Sequence, residues 1–181
     1  MPNSAVFWPK VSSNKKAMNP CLCGFRTDPA RECTCLPQQV QKYMAKISGP
    51  LLDRIDLHIE VPAVKYKELS SREPGESSDS IRQRVVRARE VQMKRFRGRK
   101  SIYANANMQS KEISEFCRLD SAGEELLKMA ITKLGHSARA YDRILKVSRT
   151  IADMADSADI RPEHVSEAIQ YRSLDRNLSG Y

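Results

Sequence analysis

The sequence predicts a mainly α-helical protein in which a small mixed segment precedes a helical bundle. From about residue 81 onward, apolar residues recur every three or four positions, the spacing that places them on one face of a helix. Alternation of apolar and polar residues, which is typical of a strand, is clearest at residues 56–62. The chain has 181 residues, 40% of them hydrophobic, which suffices for one ordinary domain or two small ones.

The N-terminal part is predicted to be largely irregular. Residues 1–16 show no clear period and are predicted to be an irregular, non-native start. Residues 20–36 are rich in Cys, Pro, Gly and Asp, a composition that predicts a loop or a small knuckle. Pro37 suits the first turn of a helix that runs to about Lys46. The alternating segment 56–62 then predicts one strand, ended by its proline.

The C-terminal part is predicted to be all helical. A polar stretch, residues 63–80, is predicted to link it to the first part, and residues 177–181 form a tail. Apolar spacing and capping residues predict five helices within residues 81–176. They are one from Ile81 to about Gly98, a short one around Ile113–Cys117, one from Ser121 to Gly135, one capped by Ser137 and one from about Pro162 to Arg172.

The chain is strongly basic, with a formal net charge of +9. Such a charge predicts an anionic partner, and nucleic acid is favoured because no strongly amphipathic membrane-binding helix stands out. The longest apolar run is only a few residues, too short to span a bilayer. Residues 1–10 have no charged leader followed by an apolar stretch. A cytoplasmic protein without membrane contact is therefore expected.

Much of the basic charge lies in Ile81–Lys100, which holds nine Lys or Arg residues against the single acid Glu90. Arginine suits bidentate contact with phosphate, so we expect sequence-independent contact with DNA. A solvated helix face is the alternative interpretation of such a charge run. The predicted contacts are Arg82, Arg84, Arg87, Arg89, Lys94, Arg95, Arg97, Arg99 and Lys100.

The cysteines are clustered in a way that suits a metal site. Two matched pairs, Cys21 with Cys23 and Cys33 with Cys35, offer four thiolates, which would satisfy a tetrahedral Zn²⁺ ion in a structural role. One residue separates the two members of each pair, a shorter spacing than the two to four residues typical of zinc ribbons. The alternative interpretation is a reduced, flexible loop that binds no metal. An odd total of five cysteines argues against a disulfide scaffold, and Cys117 is predicted to be a small core residue.

Four phrases in the sequence carry a family resemblance. They are Ala17–Cys21 (AMNPC), Ser48–Leu57 (SGPLLDRIDL), Ser137–Leu145 (SARAYDRIL) and Ala168–Arg172 (AIQYR). In this order they resemble the C-terminal part of the Mg-chelatase-like AAA+ ATPases of the ComM/YifB type, over residues 17–176. The resemblance implies that residues 17–62 are the end of an α/β AAA+ core and that residues 81–176 are the helical lid.

The same resemblance implies a function for the whole family member. It implies ATP and Mg²⁺ as cofactors and a homo-oligomeric ring. It also implies ATP-driven work on DNA of the competence or recombination type, as a helicase or translocase.

Three residues match the family's nucleotide-sensing positions. Asn19 matches the polar sensor 1 residue, which holds the attacking water, and Arg54 matches an arginine finger that reaches a neighbouring subunit's nucleotide. Arg139 matches the sensor 2 arginine, which projects from the lid toward phosphate. Without the resemblance, Asn19 would be interpreted as a turn residue and Arg54 as a member of a surface ion pair. Arg139 would be interpreted as a solvated arginine on a helix.

The sequence also departs from a complete ATPase. It contains no Gly-x-x-x-x-Gly-Lys-Ser/Thr phosphate loop and no acidic Mg²⁺-binding strand, and residues 11–16 are too polar for the strand expected before Asn19. We therefore expect a fragment that is inactive in ATP hydrolysis on its own and mostly monomeric. A stand-alone basic helical domain that binds DNA or protein is the alternative, and a magnesium chelatase subunit ranks last.

Overall fold

The computed structural model describes residues 17–28, 30–52, 54–61, 75–134 and 138–172. The chain divides between Met44 and Ala45 into two compact units, which places the division before the predicted boundary at residue 62. No helix in the described ranges is long and apolar enough to cross a membrane. Predictions for residues 1–16, for 63–74, for the cap Ser137 and for the tail lie outside the described residues.

The first unit contains the cysteine-rich segment and one helix. Helix α1 spans Pro37–Met44, so the predicted start at Pro37 is confirmed and the end comes two residues early. The carbonyl oxygen of Leu36 accepts hydrogen bonds from the backbone N–H groups of Gln39 and Val40, which closes the first turn. Among the described residues of this unit, only Cys21 and Val40 are buried. The described part of this unit therefore buries almost no apolar surface.

The second unit begins with an irregular segment. A four-residue helix, α2 (Gly49–Leu52), follows the end of α1 and was not predicted. The strand predicted from residue 56 is wrong for 56–61, because no described strand pairs with this segment and alternation alone cannot supply backbone partners. Instead, the backbone N–H of His58 donates to the carbonyl oxygen of Tyr171 at 2.7 Å.

The rest of the second unit is mainly helical in its described ranges, 75–134 and 138–172, which confirms the mainly α-helical prediction. The helices after α2 are α3 (Ser78–Arg95), a 3₁₀ turn (Asn105–Asn107), α4 (Ser110–Phe116), α5 (Ser121–Leu134), α6 (Ala138–Met154) and α7 (Pro162–Gln170). Helix α6 is central and packs against α3, α4, the 3₁₀ turn and α7, while α5 packs against α7. The proline at the start of α7 occupies the first helical position, as predicted.

Helix α3 differs from its predicted bounds. It begins at Ser78, within the predicted linker, because the Ser77 side chain accepts the backbone N–H of Ser80 and caps the helix. It ends at Arg95 instead of near Gly98. Its buried residues are Ala88 and Gln92, whereas the apolar residues Ile81 and Val91 are exposed.

A single apolar core joins these helices. Its buried members come from the four helices α4 to α7 and from the connections between helices, and they are Phe96, Met108, Ile113, Cys117, Leu127, Ile144, Leu145, Ala152, Ile160, Val165 and Ala168. The Phe96 ring packs edge-on against Phe116, with ring centroids 5.6 Å apart. Cys117 is buried here, as predicted, and its burial raises the pKa of the thiol to about 11.

Candidate functional site

The predicted nucleic-acid contacts separate into exposed and engaged side chains. Arg89 is partly buried. The basic face, as we name it, comprises the five exposed residues Arg82, Arg87, Lys94, Arg97 and Lys100 on α3 and the turn after it. Arg82 lies 3.9 Å from Asp79, and both side chains are largely exposed, so this ion pair contributes little.

Two predicted contacts are held by carboxylates. Both terminal nitrogens of Arg84 donate hydrogen bonds to the carboxylate of Glu76, at 2.7 and 3.1 Å. Arg99 donates to Glu112 at 3.1 Å and to Glu115 at 2.7 Å, and its guanidinium lies 4.9 Å from the centroid of the Phe116 ring. These arginines would have to leave existing partners to reach phosphate.

Arg95 is the clearest departure from the predicted surface. Its side chain is 13% exposed, and its two terminal nitrogens donate to the carboxylate of Asp153 at 2.5 and 2.7 Å. Asp153 also accepts from Asn105 at 2.8 Å and from Arg149 at 3.0 Å, and its side chain is fully buried. An arginine in this polar core network is not available to DNA, because the buried carboxylate of Asp153 would lose one of its two arginine partners.

Sequence reasoning missed this network, which ties α3 and the 3₁₀ turn to α6. Arg149 also donates to the carbonyl oxygens of Ala158 and Ser157, at 2.8 and 2.7 Å, and so secures the turn between α6 and α7. The available signal was the pair Arg149 and Asp153, four residues apart on the apolar side of a helix. Charged residues at such positions are usually paired in the core.

The predicted finger Arg54 and the lid helix α6 are joined by Arg143. Its Nη1 donates to the carbonyl oxygen of Arg54 at 2.9 Å and to the carboxylate of Asp56. Arg139 is exposed and lies one turn earlier on α6, so it shares a side of the helix with Arg143. The exposed side chain of Arg54 donates to the carbonyl oxygen of Pro50 at 3.1 Å. Two of the three predicted nucleotide-sensing residues therefore lie on neighbouring elements.

A second arginine fastens the same segment. Arg172 is 1% exposed, and its Nη1 donates to the carbonyl oxygen of Ile55 at 2.8 Å. Neither Arg143 nor Arg172 was singled out as a functional residue, although both stand within the phrases that carry the resemblance. Asn19 is exposed and belongs to the first unit, whereas Arg54 and Arg139 belong to the second.

The four clustered cysteines converge on one point. Their sulfur atoms all lie within 4.8 Å of one another, so the group could hold a metal ion. Cys21 is buried, and the other three are half-buried. The backbone N–H of Phe25 is the main group that lowers the pKa of the Cys23 thiol, to about 5. Gly24 makes the turn between the thiols with a φ of +83°, a backbone conformation that favours glycine.

Two family models match the sequence. The model described as "Magnesium chelatase, subunit ChlI C-terminal" matches residues 75–172, which are 98 of the 181 residues. The chain belongs to the magnesium chelatase-like family. A second model, "Magnesium chelatase, subunit ChlI", matches residues 3–69. The two matches cover most of the sequence; they begin 14 residues before the span of the resemblance, residues 17–176, and end four residues before its end.

Three relatives illustrate the range of the family. Competence protein ComM of Haemophilus influenzae is 41% identical over 177 residues, which are 97% of this chain and 33% of that protein. YifB of Escherichia coli is 43% identical over 163 residues, 90% of this chain and 31% of its own length. Mb2921c of Mycobacterium bovis is 33% identical over 156 residues, 86% of this chain and 30% of its own length. The chain thus spans about a third of the length of these relatives.

Proposed function

We propose that this chain supplies the lid and the sensing arginines of an ATP-driven motor that works on DNA without reading its sequence. The observation that carries the DNA part is the basic face, whose five cations are exposed along α3 and the turn after it. Membership of the magnesium chelatase-like family supports the motor part, as does the name of the relative ComM, a competence protein.

The geometry of the basic face suits a phosphate backbone. Arg87 and Lys94 are seven residues apart and so project from the same side of α3, with Glu90 between them. Arg97 and Lys100 extend the charge beyond the helix end. The 18 residues of α3 span about 27 Å, the length of about eight phosphates along one DNA strand. Contacts of this kind would raise affinity for any sequence alike.

The nucleotide part of the proposal concerns three residues. Arg54 and Arg139 would place positive charge beside the γ-phosphate of ATP, where negative charge develops during transfer. Asn19 would orient the attacking water. ATP and Mg²⁺ are the ligands that this activity requires, and a homo-oligomeric ring would bring Arg54 to a neighbouring subunit's nucleotide. A zinc ion at the cysteines has no part in this chemistry.

Two alternatives predict different behaviour. A stand-alone basic helical domain would bind DNA or protein with no contribution from Arg54 or Arg139. A magnesium chelatase subunit, which the descriptions of the family models name, would not need the basic face. The exposure of five cations on one helix and its following turn favours a polyanionic partner over this last alternative.

The DNA part is tested by titrating fluorescent single- and double-stranded DNA of random sequence at several salt concentrations. The test variant carries Arg87→Gln, Lys94→Gln and Arg97→Gln. If all three side chains contact phosphate, the slope of log affinity against log salt falls by about 3. Binding should weaken equally for every sequence.

The matched control removes the same charge elsewhere in the second unit. Lys111, Arg118 and Lys128 are also exposed, and changing all three to Gln alters the net charge equally. This control should bind DNA with nearly the affinity and salt slope of the parent chain. If DNA affinity falls equally in both variants, the effect comes from net charge alone. That result would contradict a defined contact face.

The nucleotide part is tested in a chimera, because this chain has no phosphate loop. The chain replaces the matching third of Escherichia coli YifB, and ATP hydrolysis is measured with and without DNA. Arg54→Ala or Arg139→Ala should lower the rate constant for hydrolysis by 10²-fold or more, about the effect of losing one group that stabilises transition-state charge. The exposed Arg118→Ala is the control. Unchanged hydrolysis in both test variants would favour the stand-alone alternative.

A further inference from the structure

The sulfur atoms of the cysteine cluster have the separations of a single tetrahedral metal site. The Sγ atoms of Cys21 and Cys23 are 3.3 Å apart, those of Cys21 and Cys33 are 3.7 Å apart, and those of Cys23 and Cys33 are 3.6 Å apart. Four thiolates at zinc–sulfur bonds of about 2.3 Å form a tetrahedron with edges of about 3.8 Å. The cluster is therefore close to the size that one zinc ion needs.

A backbone N–H group also contacts one of the sulfurs. The N–H of Cys23 donates to the Sγ of Cys35 at 3.3 Å, which links the two cysteine pairs. A donor of this kind stabilises a thiolate, and thiolates this close together repel one another unless a cation lies between them.

The ligand set narrows the choice of metal. All five cysteines are free thiols in this structure, so no disulfide competes for the cluster. Four soft sulfur donors without a carboxylate select zinc over magnesium or calcium. An iron–sulfur cluster spreads its cysteine ligands over several iron atoms, which requires wider spacing between sulfurs than the 4.8 Å limit found here.

The described residues of the first unit, 17–28 and 30–44, bury little besides the cluster. Cys21 and Val40 are its only buried residues in the described range, and one of them is a member of the cluster. A segment this small cannot offset its conformational entropy by burying apolar surface. Metal binding supplies folding free energy directly in small domains of this kind.

We propose that Cys21, Cys23, Cys33 and Cys35 bind one zinc ion that holds the cysteine knuckle, residues 20–36, in its fold. Four protein ligands complete a tetrahedral coordination, so the site has no open position for water or substrate and is structural. The proposal goes beyond the nucleotide and DNA roles proposed above and does not depend on them.

The test begins with metal analysis of the full 181-residue chain, purified under reducing conditions without a polyhistidine tag. One zinc per chain is expected by elemental mass spectrometry. Exchange with Co²⁺ should produce the intense visible and near-ultraviolet bands of a tetrahedral tetrathiolate. The double variant Cys33→Ser, Cys35→Ser should lose both signals. Cys117→Ala removes one thiol outside the cluster and should retain both.

Metal removal tests the structural role separately. A strong chelator should collapse the amide chemical shifts of residues 20–36 to unfolded values while those of α3 to α7 stay dispersed. DNA binding should then persist, which separates this proposal from the function proposed above. Absence of bound metal, iron in place of zinc, or an unchanged knuckle after complete metal removal would each overturn the proposal.

Discussion

The cysteine knuckle and the helical bundle are folded by different means. The described part of the first unit buries only two residues, and its four cysteine sulfurs lie within 4.8 Å of one another. The bundle buries apolar residues from helices α4 to α7 and their connections, and it adds a buried charge network centred on Asp153. The first unit is therefore expected to depend on a ligand, whereas the second is expected to be stable by itself.

Because of this difference, the residues that stabilise the fold are expected to be distinct from the functional residues in the bundle but not in the knuckle. In the bundle, charges that look alike in sequence have two roles, because Arg95 holds the core together while Arg87 and Lys94 remain exposed. In the knuckle, the residues that would bind a ligand are the same ones that hold the fold. Mutations can remove function without unfolding in the bundle, but the two losses should coincide in the knuckle.

The largest effect should come from breaking the polar core network. Asp153→Ala leaves two arginines without their shared carboxylate, and removing one partner of a buried ion pair costs about 3–5 kcal/mol. Urea unfolding followed by far-ultraviolet circular dichroism would measure it. Zinc content should not change. The exposed Asp156 has a φ of +52°, which asparagine tolerates, so Asp156→Asn is the control with an expected change below about 0.5 kcal/mol.

A smaller effect, confined to the knuckle, is expected from Gly24→Ala. An alanine held at this position's φ of +83° costs about 1–2 kcal/mol of folding free energy. Because folding of the knuckle and zinc binding are coupled in this proposal, that cost lowers the zinc affinity about tenfold. Competition with a chelating dye would measure the affinity. Gly75→Ala, at an exposed glycine with no atom within 4 Å of the added carbon, should leave it unchanged. A lower bundle stability in Gly24→Ala would contradict the separation of the two regions.

Loss of the α3 cap should weaken the bundle by a modest amount. The Ser77 side chain accepts the N–H of Ser80 at 3.2 Å, and replacing such a cap with alanine costs about 1 kcal/mol. The urea midpoint of Ser77→Ala should fall accordingly, while Ser78→Ala, one residue into the helix, should stay close to the parent chain. Equal midpoints for both variants would show that α3 starts elsewhere.

The smallest effect concerns pH. The backbone N–H of Gln109 and the guanidinium of Arg99 hold the pKa of Glu112 below its ordinary value. A carboxylate whose folded pKa is lowered stabilises the fold above its unfolded pKa, and that stabilisation disappears as the pH falls through the folded value. Urea midpoints measured from pH 7 to pH 3 should therefore fall less steeply in Glu112→Gln. The exposed Glu125→Gln should follow the parent curve.

Much of the helical part could be predicted because helix formation is governed by local patterns. Pro37 and Pro162 begin their helices as expected, and Ser121 begins α5. The start of α3 was predicted three residues late, because serine-rich segments suit both linkers and helix caps. The strand predicted at 56–61 failed because a strand requires a partner, and alternation contains no information about one.

The candidate sites were predicted unevenly for the same reason. The cysteine pairs were found from spacing alone, and the structure brings their sulfurs together. The nine cations were assigned to one surface, but Arg95 and Arg99 lie in contacts with carboxylates far along the chain. Helical periodicity identifies which residues share a side, yet Arg143 and Asp153 acquire their roles only from segments distant in sequence.

By itself, the sequence determined the helical class, the clustering of the four thiols, the net charge and the family. These properties depend on composition, on short-range spacing and on short sequence motifs that can be recognised in their order along the chain. Only the tertiary structure decided which of the nine cations remain exposed. It decided that Arg143 and Arg172 hold residues 54–61 by hydrogen bonds. It also decided that 56–61 forms no strand. Those outcomes depend on long-range contacts, in which burial of one charge requires a partner that no local pattern specifies.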